Sequence, residues 1–281
     1  MSSREFDYRI RWRASGVHPG AHHGSQAGAG QWFLRLAPFM AQPDPRRLDL
    51  RSSLCDPFEH FNVRLYEQRS RIEVHAVIDL SASMGYEGAS RKLNVLADFM
   101  DSLALSCHRT GDLLGVAAFS ESGQPEFLLP PTRQLGACKE LNERLRDLRL
   151  HGTNARGLLQ AARYLPARRG LVFLLSDFHF PLSLLKSIMS SLVRHDTVPV
   201  VLWDPDEQSP PGAGLARLTD LENGAERMLW LRPELRERLT LAYRERRSRL
   251  TTLLRRFGRE PLFLDGRFDP EQVSRYFAGT A

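Results

Sequence analysis

Residues 74 to 85 read V-H-A-V-I-D-L-S-A-S-M-G, an apolar strand-like run that ends on one carboxylate and two hydroxyls, Asp79, Ser81 and Ser83. At every-second spacing these donors can turn toward one point as the chain leaves a strand. A second apolar run, L-V-F-L-L at 171–175, ends on Ser176 and Asp177, and the earlier loop H-G-T-N carries Thr153. Asp79, Ser81, Ser83, Thr153 and Asp177 are all hard oxygen donors, with only His151 as a nearby nitrogen. A small set of hard donors with room for water suits Mg2+, with Mn2+ possible, better than zinc. So few charged ligands would leave the ion electrophilic, open to an Asp or Glu from a partner. That favours recognition over catalysis.

The elements that must position these residues alternate regularly. Val74–Leu80, Leu113–Phe119, Leu171–Leu175 and Val198–Trp203 are near-continuous apolar runs, as in parallel strands covered on both faces. Between them lie helical patterns at Arg91–His108, Cys138–Leu150, Ala155–Leu165 and Leu182–Arg194; the first carries Leu93, Leu96, Phe99, Met100 and Leu103 on one face. Glu126–Leu129 reads as a short antiparallel neighbour. Later come a loop at 204–214, a strand at Arg227–Leu231, an arginine-rich helix at Pro233–Arg256, a strand at Pro261–Leu264 and a helix at Asp269–Phe277. The expected fold is α/β: a doubly wound, mostly parallel sheet over residues 71–281. Ligands of such sheets bind beyond the carboxyl ends of the strands, where the donors fall.

Residues 1–70 read as an N-terminal extension, a loop plus a hairpin packing on the sheet. Gly16–Gly30 is rich in turn formers and should be irregular. Its His18, His22 and His23 lack an acidic or cysteine partner at fixed spacing, so a loop that merely contains histidines is the favoured reading over a metal site. Phe61–Gln68 alternates as a strand would.

The formal net charge of +6 comes from a basic complement that is almost all arginine; Lys92, Lys139 and Lys186 are the only lysines. In Pro233–Arg256 the arginines interleave with Glu234, Glu237 and Glu245, the spacing of ion pairs on a solvated face. Three scattered cysteines, Cys55, Cys107 and Cys138, define neither a disulfide framework nor a thiolate zinc site. With no secretory start and no apolar run of ~20 residues, the expectation is a cytoplasmic protein without a membrane span.

D-L-S-A-S-M-G, followed in order by Thr153 and Asp177, resembles the metal-ion-dependent adhesion site of a von Willebrand factor A domain. The upstream segments D-P-R-R-L-D-L-R and V-R-L-Y-E-Q resemble the bacterial domain-of-unknown-function 58 group, whose members are similar to the MxaS protein of methanol-oxidation gene clusters. The resemblance implies a metal held by Asp79, Ser81 and Ser83 in the first loop, Thr153 in the second and Asp177 in the third. It also implies a non-enzymatic adaptor that works with a MoxR-type AAA+ ATPase in complex maturation or metal insertion. Two positions depart from the pattern: Phe178 follows Asp177 where glycine is common, and Leu50 stands where tryptophan is common.

Two rival functions have distinct requirements. A phosphohydrolase using Asp79 as nucleophile wants a second acid two residues on, where Ser81 stands. Nucleic-acid binding through the arginine-rich helix wants aromatics to stack bases, and Tyr243 is nearly alone there, so no nucleic-acid partner is expected.

Overall fold

The computed structural model describes residues 5–16, 18–150, 154–209, 214–219 and 226–279. It divides into two compact units, one of Ile10–Ile72 with Thr110–Asp112, the other of Met1–Arg9, Glu73–Arg109 and Leu113–Ala281.

In the smaller unit, β1 (Pro19–Pro38) pairs antiparallel with β2 (Asn62–Ser70), and a short helix α1 (Leu50–Leu54) lies between them in sequence. The glycine- and histidine-rich stretch expected to be irregular is therefore strand. Glycine is what allows it: a Cβ on Gly24 would lie 2.0 Å from the Gln68 carbonyl oxygen, so only a bare backbone can pair there. The ladder absorbs the misfit in several register shifts. Ala37, Val63 and Leu65 form a small core.

The larger unit begins its sheet with β3 (Glu73–Asp79), followed by α2 (Lys92–Thr110), β4 (Leu113–Phe119), β5 (Phe127–Thr132) and α3 (Leu135–Arg146). Then come β6 (Leu171–Ser176), α4 (Leu182–Ser191), β7 (Asp196–Trp203) and α5 (Pro205–Gln208). A two-stranded antiparallel pair, β8 (Gly214–Thr219) with β9 (Glu226–Leu231), precedes α6 (Pro233–Arg255), β10 (Leu262–Asp265) and α7 (Pro270–Gly279). The six-stranded sheet has the order β10-β7-β6-β3-β4-β5, parallel throughout except for β5. This is the expected α/β architecture. The chain builds outward from β3 through β4 and β5, then returns to the other side of β3 with β6, β7 and β10. The strand order thus reverses between β3 and β6, the point where an open α/β sheet leaves a crevice.

Burial follows the sequence pattern. β3, β6 and β7 are buried on both faces, and α2 turns Leu93, Leu96, Phe99, Met100 and Leu103 inward. Phe6, counted with the extension in the sequence reading, packs against Phe99 and Phe173 of the α/β unit. Two elements differ from expectation. Arg156–Tyr164 forms 3-10 turns instead of an α-helix; its N-cap position is Ala155, which has no side-chain acceptor, and Asn154 accepts the Arg156 N–H instead. The expected loop after β7 opens with α5, whose D-P-D-E sequence closes a capping box between Asp204 and Glu207. Among the described residues no helix is long and apolar enough to cross a membrane.

Candidate metal site

β3 and β6 flank the switch point, and the expected donors sit at their carboxyl ends. Asp79 is fully buried. One of its oxygens accepts the Ser81 N–H at 2.9 Å, and the other accepts the Ser176 hydroxyl at 2.6 Å. Burial, reinforced by the charge of Asp177, pushes the Asp79 carboxyl up to about 6. The chain then enters a 3-10 turn, Ala82–Gly85, which brings the Ser81 and Ser83 hydroxyl oxygens to 3.2 Å from each other. An octahedral Mg2+ with bonds of 2.0–2.1 Å has neighbouring ligand oxygens about 3 Å apart. The two hydroxyls hydrogen-bond to each other at a separation close to one edge of such an octahedron, and hydroxyl and carboxylate oxygens are the donor types a hard cation takes.

Asp177 is also fully buried and is differently engaged. Its Oδ2 accepts Lys92 Nζ at 2.9 Å, and its Oδ1 accepts the His179 N–H at 3.2 Å. Burial alone would raise this carboxyl, but the charges of Lys92 and His179 and their hydrogen bonds hold it below the usual carboxylate range. Lys92 is its mirror image. Burial opposes the ammonium, yet Asp177 and Glu207 keep it above the ordinary lysine value.

The loop after β6 is shaped by Phe178, one of the two departures seen in the sequence. Its φ of 53° lies in the left-handed region, where glycine is the usual occupant. Packing holds it there. The buried Phe178 ring lies against Phe180, its N–H bonds Ser176 Oγ at 2.9 Å, and Arg246 from α6 donates to the carbonyls of both phenylalanines. Arg246 is thus no part of a solvated arginine face; it braces the third loop. The sequence expectation for α6 holds at Arg249, which pairs with Glu245 one turn away. Trp203, at the end of β7, donates its indole N–H to the Asp177 carbonyl at 2.8 Å and is stacked by His179.

Of the five residues singled out in the sequence, Asp79, Ser81, Ser83 and Asp177 gather at this edge of the sheet; Thr153 lies outside the described residues. Sequence reasoning missed Lys92 and Glu207. Both left a signal: Lys92 is one of three lysines in a chain that otherwise uses arginine, and Glu207 completes a D-x-x-E capping box. Asp177, His179 and Glu207 could themselves group around a cation, but Lys92 Nζ already bonds both carboxylates. Two of the N-terminal histidines are held by separate carboxylates: His22 bonds Asp112 at 2.7 Å, and His23 bonds Glu67 at 3.1 Å.

The sheet is doubly wound and mostly parallel, with the oxygen atoms of Asp79, Ser81, Ser83 and Asp177 at its switch point. The chain belongs to the family described as Protein of unknown function DUF58, whose model matches residues 46–249. An uncharacterized protein of Mycobacterium tuberculosis is 23% identical over 262 residues, covering 91% of this chain and 81% of its own length. An uncharacterized protein in the moxR 3' region of Paracoccus denitrificans is 32% identical over 102 residues, 36% of this chain and 97% of that protein. Among solved structures, an aerotolerance-related membrane protein from Bacteroides fragilis matches 74% of this chain and 99% of its own, at 16% identity and a TM-score of 0.44. The conserved hypothetical protein BatB from Bacteroides thetaiotaomicron matches 74% and 98%, at 15% identity and a TM-score of 0.45.

Proposed function

We propose that this chain is a non-enzymatic adaptor that holds Mg2+ at the switch point and engages a MoxR-type AAA+ ATPase and its client there. The observation that carries this reading is the Ser81–Ser83 hydroxyl pair, 3.2 Å apart beside the buried Asp79. Ser81, Ser83 and Thr153 would hold the ion, with Asp79 and Asp177 supplying negative charge directly or through water. When bound, the ion supplies an electrophilic position for an Asp or Glu of the client. The residues of the chain do the rest. Asp79 fixes the first loop through the Ser81 N–H and ties it to β6 through Ser176. Arg246 and Trp203 fix the third loop by its carbonyls. The ATPase partnership draws support from the relative named for the moxR 3' region.

The catalytic alternative finds less support. Asp79 has no exposed surface and both of its oxygens are engaged, so it is poorly disposed to attack a phosphoester. The nucleic-acid alternative fares no better. Several arginines from α6 onward are committed within the chain, Arg246 to loop carbonyls, Arg247 to Asp265 and Arg255 to Glu260.

The test is capture of a purified MoxR-type ATPase by the full chain. Capture should need Mg2+, vanish in EDTA and vanish in Asp79→Ala with the fold retained by circular dichroism. Undiminished capture by that variant, or in EDTA, refutes the metal-bridge reading.

A further inference from the structure

Lys92, at the first turn of α2, is 1% exposed and its ammonium has three acceptors: the Ser83 carbonyl at 3.1 Å, Asp177 Oδ2 at 2.9 Å and Glu207 Oε1 at 2.7 Å. An ammonium carries three N–H donors, so its bonding capacity is filled. The acceptors come from the loop after β3, the loop after β6 and the capped turn after β7. One buried cation therefore stitches together three loops at the carboxyl edge of the sheet, the task a divalent ion performs in a metal site. Arginine could not replace it, because a planar guanidinium fork does not match three acceptors converging on a point. The other two lysines of the chain, Lys139 and Lys186, are exposed.

This has a consequence for Asp177. Its Oδ2 bonds the ammonium and its Oδ1 the His179 N–H, so drawing it toward a divalent ion means loosening Lys92. Glu207 offers Lys92 a second anchor. Its other oxygen stays on the Asp204 N–H at 3.2 Å, which keeps the carboxylate in place.

Resting on the metal reading above, we infer that Lys92 is a resident counter-cation: it competes with the divalent ion for Asp177 and keeps its hold on Glu207 when Asp177 is released. The competition makes the ion bind weakly to the isolated chain. A partner's carboxylate, by adding a negative charge, restores the balance. Metal and partner are then coupled through one lysine.

The experiment follows the lysine ammonium signals of the 15N-labelled full chain by NMR while Mg2+ is added, with calorimetry on the same samples. One of three lysine ammonium groups should exchange slowly with water in the absence of Mg2+ and shift or lose protection as Mg2+ binds. Lys92→Met should bind Mg2+ at least tenfold more tightly than the wild type, and this gain should disappear in Lys92→Met/Asp177→Asn. Glu207→Gln keeps the capping contact, which glutamine also makes, but should bind Mg2+ several-fold more weakly. It also serves if Lys92→Met does not fold. A Lys92 signal indifferent to bound Mg2+, equal affinity in Lys92→Met, or a gain that survives Asp177→Asn overturns the inference while leaving the metal site standing. No Mg2+ binding in any variant overturns the metal reading and this inference with it.

Discussion

At the carboxyl edge of the sheet Lys92 is hydrogen-bonded to both Asp177 and Glu207, all three at 10% side-chain exposure or less. At the amino edge, His75 on β3 and His195 just before β7 are buried as well, and burial pushes both down to about 4, so they are neutral at pH 7. A Cβ on Gly115 would lie 2.8 Å from His75 Nδ1, so the neighbouring strand leaves room for the imidazole. Its Nε2 nevertheless has no hydrogen-bond partner among the described residues, and Glu73 stands 3.6 Å away. The carboxyl edge keeps its buried charges by pairing them; at the amino edge the two imidazoles shed theirs, beside a buried ion pair, Arg259 with Asp196. Paired charges can be re-paired by an incoming cation or carboxylate, which is what a recognition site needs. Discharged imidazoles make a foundation that only acid disturbs.

The contrast can be broken first at Lys92. Lys92→Met should cost about 3–5 kcal/mol in the absence of divalent metal, because breaking a buried ion pair strands its partner carboxylates. Urea unfolding would measure this, and Lys92→Met/Asp177→Asn should recover much of the loss. A loss below ~1 kcal/mol would mean that the ammonium is far better solvated than its burial implies.

The amino edge predicts a smaller effect that depends on pH. The folded protein binds the His75 proton near pH 4 and the unfolded chain near 6.5. Between those values the unfolded state holds more protons, so the stability from neutral His75 is complete above pH 6.5 and is lost as pH falls toward 4. The contribution is on the order of 2–3 kcal/mol. His75→Leu should show a flatter decline over this range than the wild type in urea melts at successive pH values. Parallel declines would show that His75 is not the group being protonated.

How much of this was legible in the sequence depends on the kind of signal. The apolar runs at 74–80, 171–175 and 198–203 mark β3, β6 and β7 because strands buried on both faces are built almost wholly of apolar residues. The donors Asp79, Ser81, Ser83 and Asp177 were legible because each breaks such a run at its carboxyl end. β1 was not: its glycines read locally as turn formers, and only the close approach of β2, far along the chain, gives them a strand's use. Arg246 is one among many arginines of α6, and no periodicity distinguishes the one that turns onto the Phe178 and Phe180 carbonyls. Lys92 was visible only as a rarity. Its meaning needs Asp177, 85 positions away, and Glu207, 115 positions away, brought together by the fold.

The proposed role of the strand-end hydroxyls is to bind a divalent ion. Calorimetric titration of Mg2+ into the full chain, beside Ser81→Ala/Ser83→Ala, tests it most directly. These substitutions remove the hydroxyl–hydroxyl contact and the Ser81 hydroxyl's bond to Asp79, and leave the Asp79 carboxylate with its Ser81 N–H and Ser176 hydroxyl bonds in place. The wild type should bind Mg2+ saturably at one site and the double variant should not bind it. Equal binding by both, or none by the wild type with a client carboxylate peptide present, would contradict it.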